Sequence, residues 1–80
     1  MRIDKYLKVS RIIKRRSVAA DVCDGGRVTI NGKIAKPSAN VKAGDIIEIR
    51  QGERISRYEV LSTGENVRAN EASQMYRLLE

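Results

Sequence analysis

Arg2, Lys5, Lys8, Arg11, Lys14, Arg15 and Arg16 place seven cations in the first sixteen residues, against a single acid, Asp4. Chemistry from such a set is electrostatic: closely spaced ammonium and guanidinium groups neutralise the repeated phosphates of a polyanion. The segment's net charge of +6 equals that of the whole 80-residue chain, because the other nine of its sixteen bases are balanced by the other nine of its ten acids. A neutral body with one concentrated cationic segment points to nucleic acid as partner.

Reactive groups are scarce. There is no histidine, which removes the commonest general base and metal ligand and keeps the charge nearly constant between pH 5 and 8. Cys23 is the lone cysteine, set among apolar residues with no base to activate it, and reads as a small core residue. Metal-ligand spacings, a phosphate-loop glycine pattern and a hydrolase triad are all missing, so no enzyme, cofactor or metal is expected. Asp45 after Gly44 reads as a turn residue rather than an acid catalyst.

The cations must be held by structure. On a helical wheel Ile3, Tyr6, Leu7, Ser10 and Ile13 share one face, Lys8, Arg11 and Arg15 lie opposite, and Lys5 flanks them. Asp4 suits the N-cap or first turn. A second helix is expected from an N-cap at Ser17 through Val18, Ala19, Val22 and Cys23 to a stop at Gly25-Gly26, which makes Lys14, Arg15 and Arg16 the corner between helices. Arg15 and Arg16 beside the start of that helix would favour a phosphate.

Beyond the glycines the period falls to two. Arg27 to Ile30, the hairpin turn Asn31-Gly32, and Lys33 to Ala35 read as a hairpin, with Pro37 ending the pairing. The turn Lys42 to Asp45 leads into a strand over Ile46 to Arg50, and another is expected from Arg54 to Leu61. Thr63 to Arg68 reads as a loop, and Asn70 as the cap of a last helix with Ala72, Met75, Tyr76 and Leu79 on one stripe. The expected fold is α+β: two N-terminal helices on a small, mostly antiparallel sheet, then a short C-terminal helix, with residues 1–62 as the principal domain and 63–80 packed on it.

Composition agrees with one small folded unit, at 41% hydrophobic and 32% charged. The longest apolar run, Val18-Ala19-Ala20, is far too short for a membrane span or signal core, so a cytoplasmic chain is expected. Seven bases to one acid is unusual for a merely solvated helix, where opposite signs normally mix at i, i+4. The second helix offers Val18, Ala19, Ala20, Asp21 and Val22, with no side chain suited to reading bases in a groove. Recognition of an RNA backbone by shape fits better. Tyrosines 6, 58 and 76 are the only aromatics, too few for a base-stacking platform; Tyr6 and Tyr76 sit on apolar stripes as core residues, and Tyr58 is undecided. Arg27 and Lys33, flanking the hairpin, would extend the surface.

The run Arg2-Ile3-Asp4-Lys5-Tyr6-Leu7, then Ser10-Arg11, Arg16-Ser17 and Ala20, followed by Gly26-Arg27-Val28-Thr29-Ile30-Asn31-Gly32 and Gly44-Asp45, resembles the RNA-binding domain named after small-subunit ribosomal protein S-four, the alpha-L motif. Lys5 to Arg11, the Lys14-Arg15-Arg16 corner and Met75-Tyr76 resemble its stand-alone members in ribosome-associated quality control, relatives of the fifteen-kilodalton heat-shock protein. Ile3 stands where leucine is commoner, and the long basic tail of the heat-shock relative is not seen. The resemblance implies a monomeric, non-enzymatic factor binding large-subunit rRNA and tRNA on large ribosomal subunits still holding peptidyl-tRNA, and helping a partner protein tail the nascent chain. The alternatives are a general small RNA-binding protein and a basic adaptor for an acidic protein or a membrane surface. A membrane helix, however, would carry Trp, Phe or Leu opposite its cations, whereas Ile3, Tyr6, Leu7 and Ile13 are needed to close a small core.

Overall fold

The computed structural model describes residues 1–64, 72 and 74–79. The chain runs α1 (Ile3–Val9), α2 (Arg16–Asp24), β1 (Val28–Ile30), β2 (Lys33–Ile34), β3 (Ile46–Gln51), β4 (Arg54–Val60) and β5 (Tyr76–Leu78). The strands form one sheet in the order β2-β1-β3-β4-β5, with every described pairing antiparallel. Two helices on such a sheet make the α+β fold that the periodicities predict.

The apolar stripe of α1 is the centre of the core. Ile3, Tyr6 and Leu7 are wholly buried and pack with Ala19, Val22 and Cys23 of α2 and with Val28, Ile47, Ile49 and Val60 of the sheet. Tyr6 also donates its hydroxyl to the Met75 carbonyl at 2.7 Å. That carbonyl takes the Leu61 N–H as well, at 2.8 Å, so α1 and the β4–β5 connection share one acceptor.

Helix α2 ends in a Schellman cap, as its glycines predict. Gly26 is left-handed (φ 72), its N–H bonds the Cys23 carbonyl at 3.0 Å, and the Arg27 N–H reaches Val22 at 3.2 Å. At the hairpin, Asn31 (φ 52) and Gly32 (φ 86) both take positive φ, as a type I′ turn requires. Asn31 also spans the sheet: Nδ2 donates to Asp45 Oδ1 at 3.0 Å, and Oδ1 accepts from the Ile46 N–H at 2.9 Å. Asp45 Oδ2 in turn accepts from the Lys42 N–H at 2.9 Å. Asp45 is thus a buried turn anchor, as expected.

Three expectations need correction. Helix α1 stops at Val9 rather than running to Ile13, because Arg11 turns left-handed (φ 64) and the Ile13 N–H folds back to the Leu7 carbonyl at 3.0 Å. Ser10 and Ile13 are still buried, carried there by the turn rather than by a helix. Helix α2 begins one residue before Ser17: Arg15, extended at φ −118 and ψ 134, holds the N-cap position without a side-chain cap bond, and Ser17 lies exposed in the first turn.

The third correction is the C-terminal helix. Tyr76–Leu78 is a strand paired with β4 (Val60↔Tyr76, Tyr58↔Leu78), tied by an Arg77–Glu59 ion pair and by the Leu79 N–H to the Arg57 carbonyl at 2.9 Å. A few apolar residues at helical spacing cannot overcome the cost of nucleating an isolated helix, whereas the open edge of β4 offers ready backbone partners. Ala72 and Met75 are buried as expected, while Leu79 is exposed. Tyr76 is half-buried, edge-to-face with Tyr58 at 5.4 Å between centroids. The proposed cap Asn70 lies outside the described residues.

Burial has chemical consequences. It pushes the Cys23 thiol up from 9.0 to about 11, with Asp4 and then Asp24 adding to the shift. Burial also lifts the Tyr6 hydroxyl above the ordinary tyrosine range, with Tyr76 contributing. The unfolded chain releases the thiol proton near pH 9 and the folded one holds it to about 11. Stability is therefore full below pH 9 and declines as pH rises through that window, which denaturant titrations from pH 8 to 11 should show. In the same native state at pH 8, a thiol reagent should modify Cys23 slowly, and rapidly once the chain is unfolded. Tyr6→Phe should leave the urea m-value unchanged while lowering unfolding free energy by about 1 to 2 kcal/mol, the loss of one buried hydrogen bond.

Candidate nucleic-acid interface

The cationic segment folds as a helix, a tight turn and a second helix start. Lys5 and Lys8 are on α1, Arg11 and Lys14 in the turn, Arg15 at the N-cap of α2, and Arg16 in its first turn. One continuous helix face is therefore replaced by a ridge bent around the α1–α2 corner. All of these side chains are exposed except Lys5, which is half-buried.

Asp4 is the hinge of this ridge. The residue is 4% exposed, and its carboxylate takes the Arg2 guanidinium at 3.2 Å on Oδ2, and the Arg16 guanidinium at 3.5 Å and the Lys5 N–H at 2.7 Å on Oδ1. Both arginine side chains remain about half exposed, at 51% and 49%. A guanidinium carries five N–H donors, so each arginine is fixed by the carboxylate while most of its fork stays accessible. Arg2 and Arg16, fourteen positions apart in sequence, are brought together by one buried acid.

The N-terminus of α1 is stitched to the loop after β2. The Ile3 N–H bonds the Ala39 carbonyl at 2.7 Å, the Asp4 N–H bonds Pro37 at 3.3 Å, the Val41 N–H bonds Met1 at 2.9 Å, and Arg2 pairs with Asn40. The same loop carries the exposed Lys36 directly before Pro37, whose carbonyl takes the Asp4 N–H. Sequence reading missed Lys36, because it lies twenty residues beyond the cationic segment and only the loop contact brings it near. Its place directly before Pro37, where the hairpin pairing ends, was the sole available signal.

Arg27 and Lys33 sit apart from the ridge. Arg27 follows the C-terminal cap of α2, a helix of nine residues and so about 13 Å from end to end, and Lys33 opens the edge strand β2. On the uncovered side of the sheet, Arg57 and Arg77 are neutralised by Glu48 (3.0 Å) and Glu59. The sheet therefore cancels part of its own charge, whereas the seven bases of the N-terminal segment face a single acid, Asp4.

No helix among the described residues is long and apolar enough to cross a membrane. The S4 domain family model matches residues 1–47, which take in α1, the corner, α2, the hairpin and the start of β3. Over 76 residues the chain is 50% identical to the RQC P-site tRNA stabilizing factor of Halalkalibacterium halodurans, covering 95% of this chain and 86% of that protein. The RQC P-site tRNA stabilizing factor of Listeria innocua is 49% identical over 80 residues, 100% of this chain and 87% of the relative. Among solved structures, heat shock protein 15 of Vibrio cholerae superposes with a TM-score of 0.85 at 38% identity, covering 98% of this chain and 80% of that one. Family model, full-length relatives and superposition agree with the fold and with the motifs of the N-terminal half: the chain belongs to the S4 domain family.

Proposed function

We propose that this chain is a non-enzymatic, monomeric RNA-binding factor of ribosome-associated quality control. It grips rRNA and tRNA phosphates on large ribosomal subunits obstructed by peptidyl-tRNA, works in the cytoplasm, and so supports tailing of the nascent chain by a partner protein. The observation that carries this reading is the ridge itself: Arg2, Lys5, Lys8, Arg11, Lys14, Arg15 and Arg16 on two helix ends and one turn, on a scaffold of zero net charge. Relatives that match 95% and 100% of this chain are named RQC P-site tRNA stabilizing factor. Lys36 widens the ridge on the α1 side, and Arg27 and Lys33 add contacts from the sheet.

The mechanism is positional. Lysines at Lys8 and Lys14 supply charge that displaces counterions, while the Asp4-held forks of Arg2 and Arg16 fix a register on the RNA backbone. Beyond Arg16, the exposed side chains of α2 are Ser17, Val18, Asp21 and Asp24, none of them a groove-reading amide or guanidinium, so binding follows RNA shape rather than base sequence.

With about four or five phosphates neutralised, the logarithm of the tRNA binding constant should fall against log salt with a slope of about −3 to −4.5. Replacing Lys8, Lys14 and Arg15 together by alanine should flatten that slope by about 2 to 3 and leave the thermal melt within about 2 °C of the parent, since no ion pair among the described residues uses them. Salt-independent affinity, or parental binding by the triple variant, would refute the reading.

A further inference from the structure

Six described residues adopt positive φ: Gly26, Gly32, Gly44 and Gly52, Asn31, and Arg11. Glycine takes this conformation freely, and asparagine is the side chain that tolerates it best. Asn31 moreover returns two hydrogen bonds to the fold, to Asp45 and Ile46. Arg11 has neither excuse. At φ 64 its Cβ is held where an L-residue is strained, and its exposed guanidinium makes no hydrogen bond or ion pair among the described residues.

Comparison of the two helix ends sharpens the point. Helix α2 terminates on Gly26 (φ 72), whose N–H bonds the carbonyl three residues back, and α1 terminates on Arg11 (φ 64), whose N–H bonds Lys8 at 3.0 Å in the same way. A left-handed residue with an N–H bonded three residues back ends both helices, once as the glycine that suits the conformation and once as an arginine that does not. The exception falls in the middle of the cationic ridge, between Lys8 and Lys14.

The turn is also rigid. Ser10 on one side is 1% exposed and donates its hydroxyl to the Leu7 carbonyl at 3.3 Å; Ile13 on the other is buried and bonded to the same carbonyl through its N–H. Arg11 is thus an exposed arginine on a backbone pinned from both flanks, so the position of its Cβ is set before any ligand arrives. Such pre-setting lowers the ordering cost of a bidentate contact.

We infer that Arg11 is an affinity-setting contact of the ridge, kept in a strained left-handed conformation because its guanidinium fork makes a bidentate contact with the RNA backbone that neither glycine nor lysine can supply. This inference rests on the RNA-binding reading above. It predicts that stability and binding move in opposite directions at this one position.

The test measures thermal melts and affinity for purified bulk tRNA on the full chain. Arg11→Gly should raise Tm by about 4 °C, as relief of the strain, and weaken tRNA binding by about tenfold. Arg11→Lys keeps the charge and the strain, and should leave Tm within about 2 °C of the parent while still weakening binding several-fold. Arg54→Ala, a single charge removed at the β3–β4 turn, should change affinity by less than about twofold. A raised Tm with unchanged affinity in Arg11→Gly would overturn the inference, as would a lowered Tm, which would make the side chain structural. Full binding by Arg11→Lys would reduce it to a point charge. A parent chain that fails to bind tRNA would sink the RNA-binding reading itself, whereas a parent that binds through Lys8, Lys14 and Arg15 but ignores Arg11→Gly sinks only this inference.

Discussion

One buried carboxylate organises the cationic N-terminal segment of this protein. Asp4 lies under the N-terminus of α1, holds Arg2 from the residue before that helix and Arg16 from the first turn of α2, and sits where the loop after β2 is stitched to the chain start. An acid so deeply buried is costly unless its lone pairs are filled, and here two guanidiniums and a backbone N–H fill them. The position of each partner is therefore coupled to the others. One acid thereby links the start of α1 to the first turn of α2 and brings two arginines together.

The remainder of the molecule reads as support for that arrangement. Tyr6, Leu7 and Ile3 bind α1 to the sheet, and the Tyr6 hydroxyl ties it further to the β4–β5 connection. Asn31 and Asp45 lock the hairpin to the start of β3, so the platform under the helices has few ways to shift. Charges on the sheet pair with one another, Glu48 with Arg57 and Glu59 with Arg77. Long-range attraction for a polyanion is left to the ridge, where the cations outnumber the acids and the one acid is spent on alignment.

Much of this was legible in the residues. The five-residue stripe from Ile3 to Ile13 named the core face of the N-terminal segment, Gly25-Gly26 marked the end of α2, and Asn31-Gly32 marked the hairpin, because each depends on local geometry. The errors share a physical cause as well. Arg11 carries no residue-level sign of a left-handed turn, so the helix was extended through it. Tyr76 to Leu78 satisfies a helical stripe and a strand alternation equally, and only the free edge of β4 decides between them. Asp4 takes its place in the first turn of α1 and accepts a backbone N–H as its residue type suggests, but its further contact with Arg16 is supplied by the tertiary fold and could not be read locally. Lys36 was invisible for the same reason.

On the proposed reading, geometry and not the sum of charge makes the ridge bind. Asp4→Asn tests this directly, since it keeps the shape of the side chain and raises the net charge of the chain from +6 to about +7. The measurement is tRNA affinity at fixed salt, on samples shown by circular dichroism to be folded. Release of Arg2 and Arg16 from their common anchor predicts weaker binding despite the added positive charge, by about threefold to tenfold. Equal or tighter binding by the folded variant would contradict the account and leave the cationic segment as a charge cloud without a required arrangement.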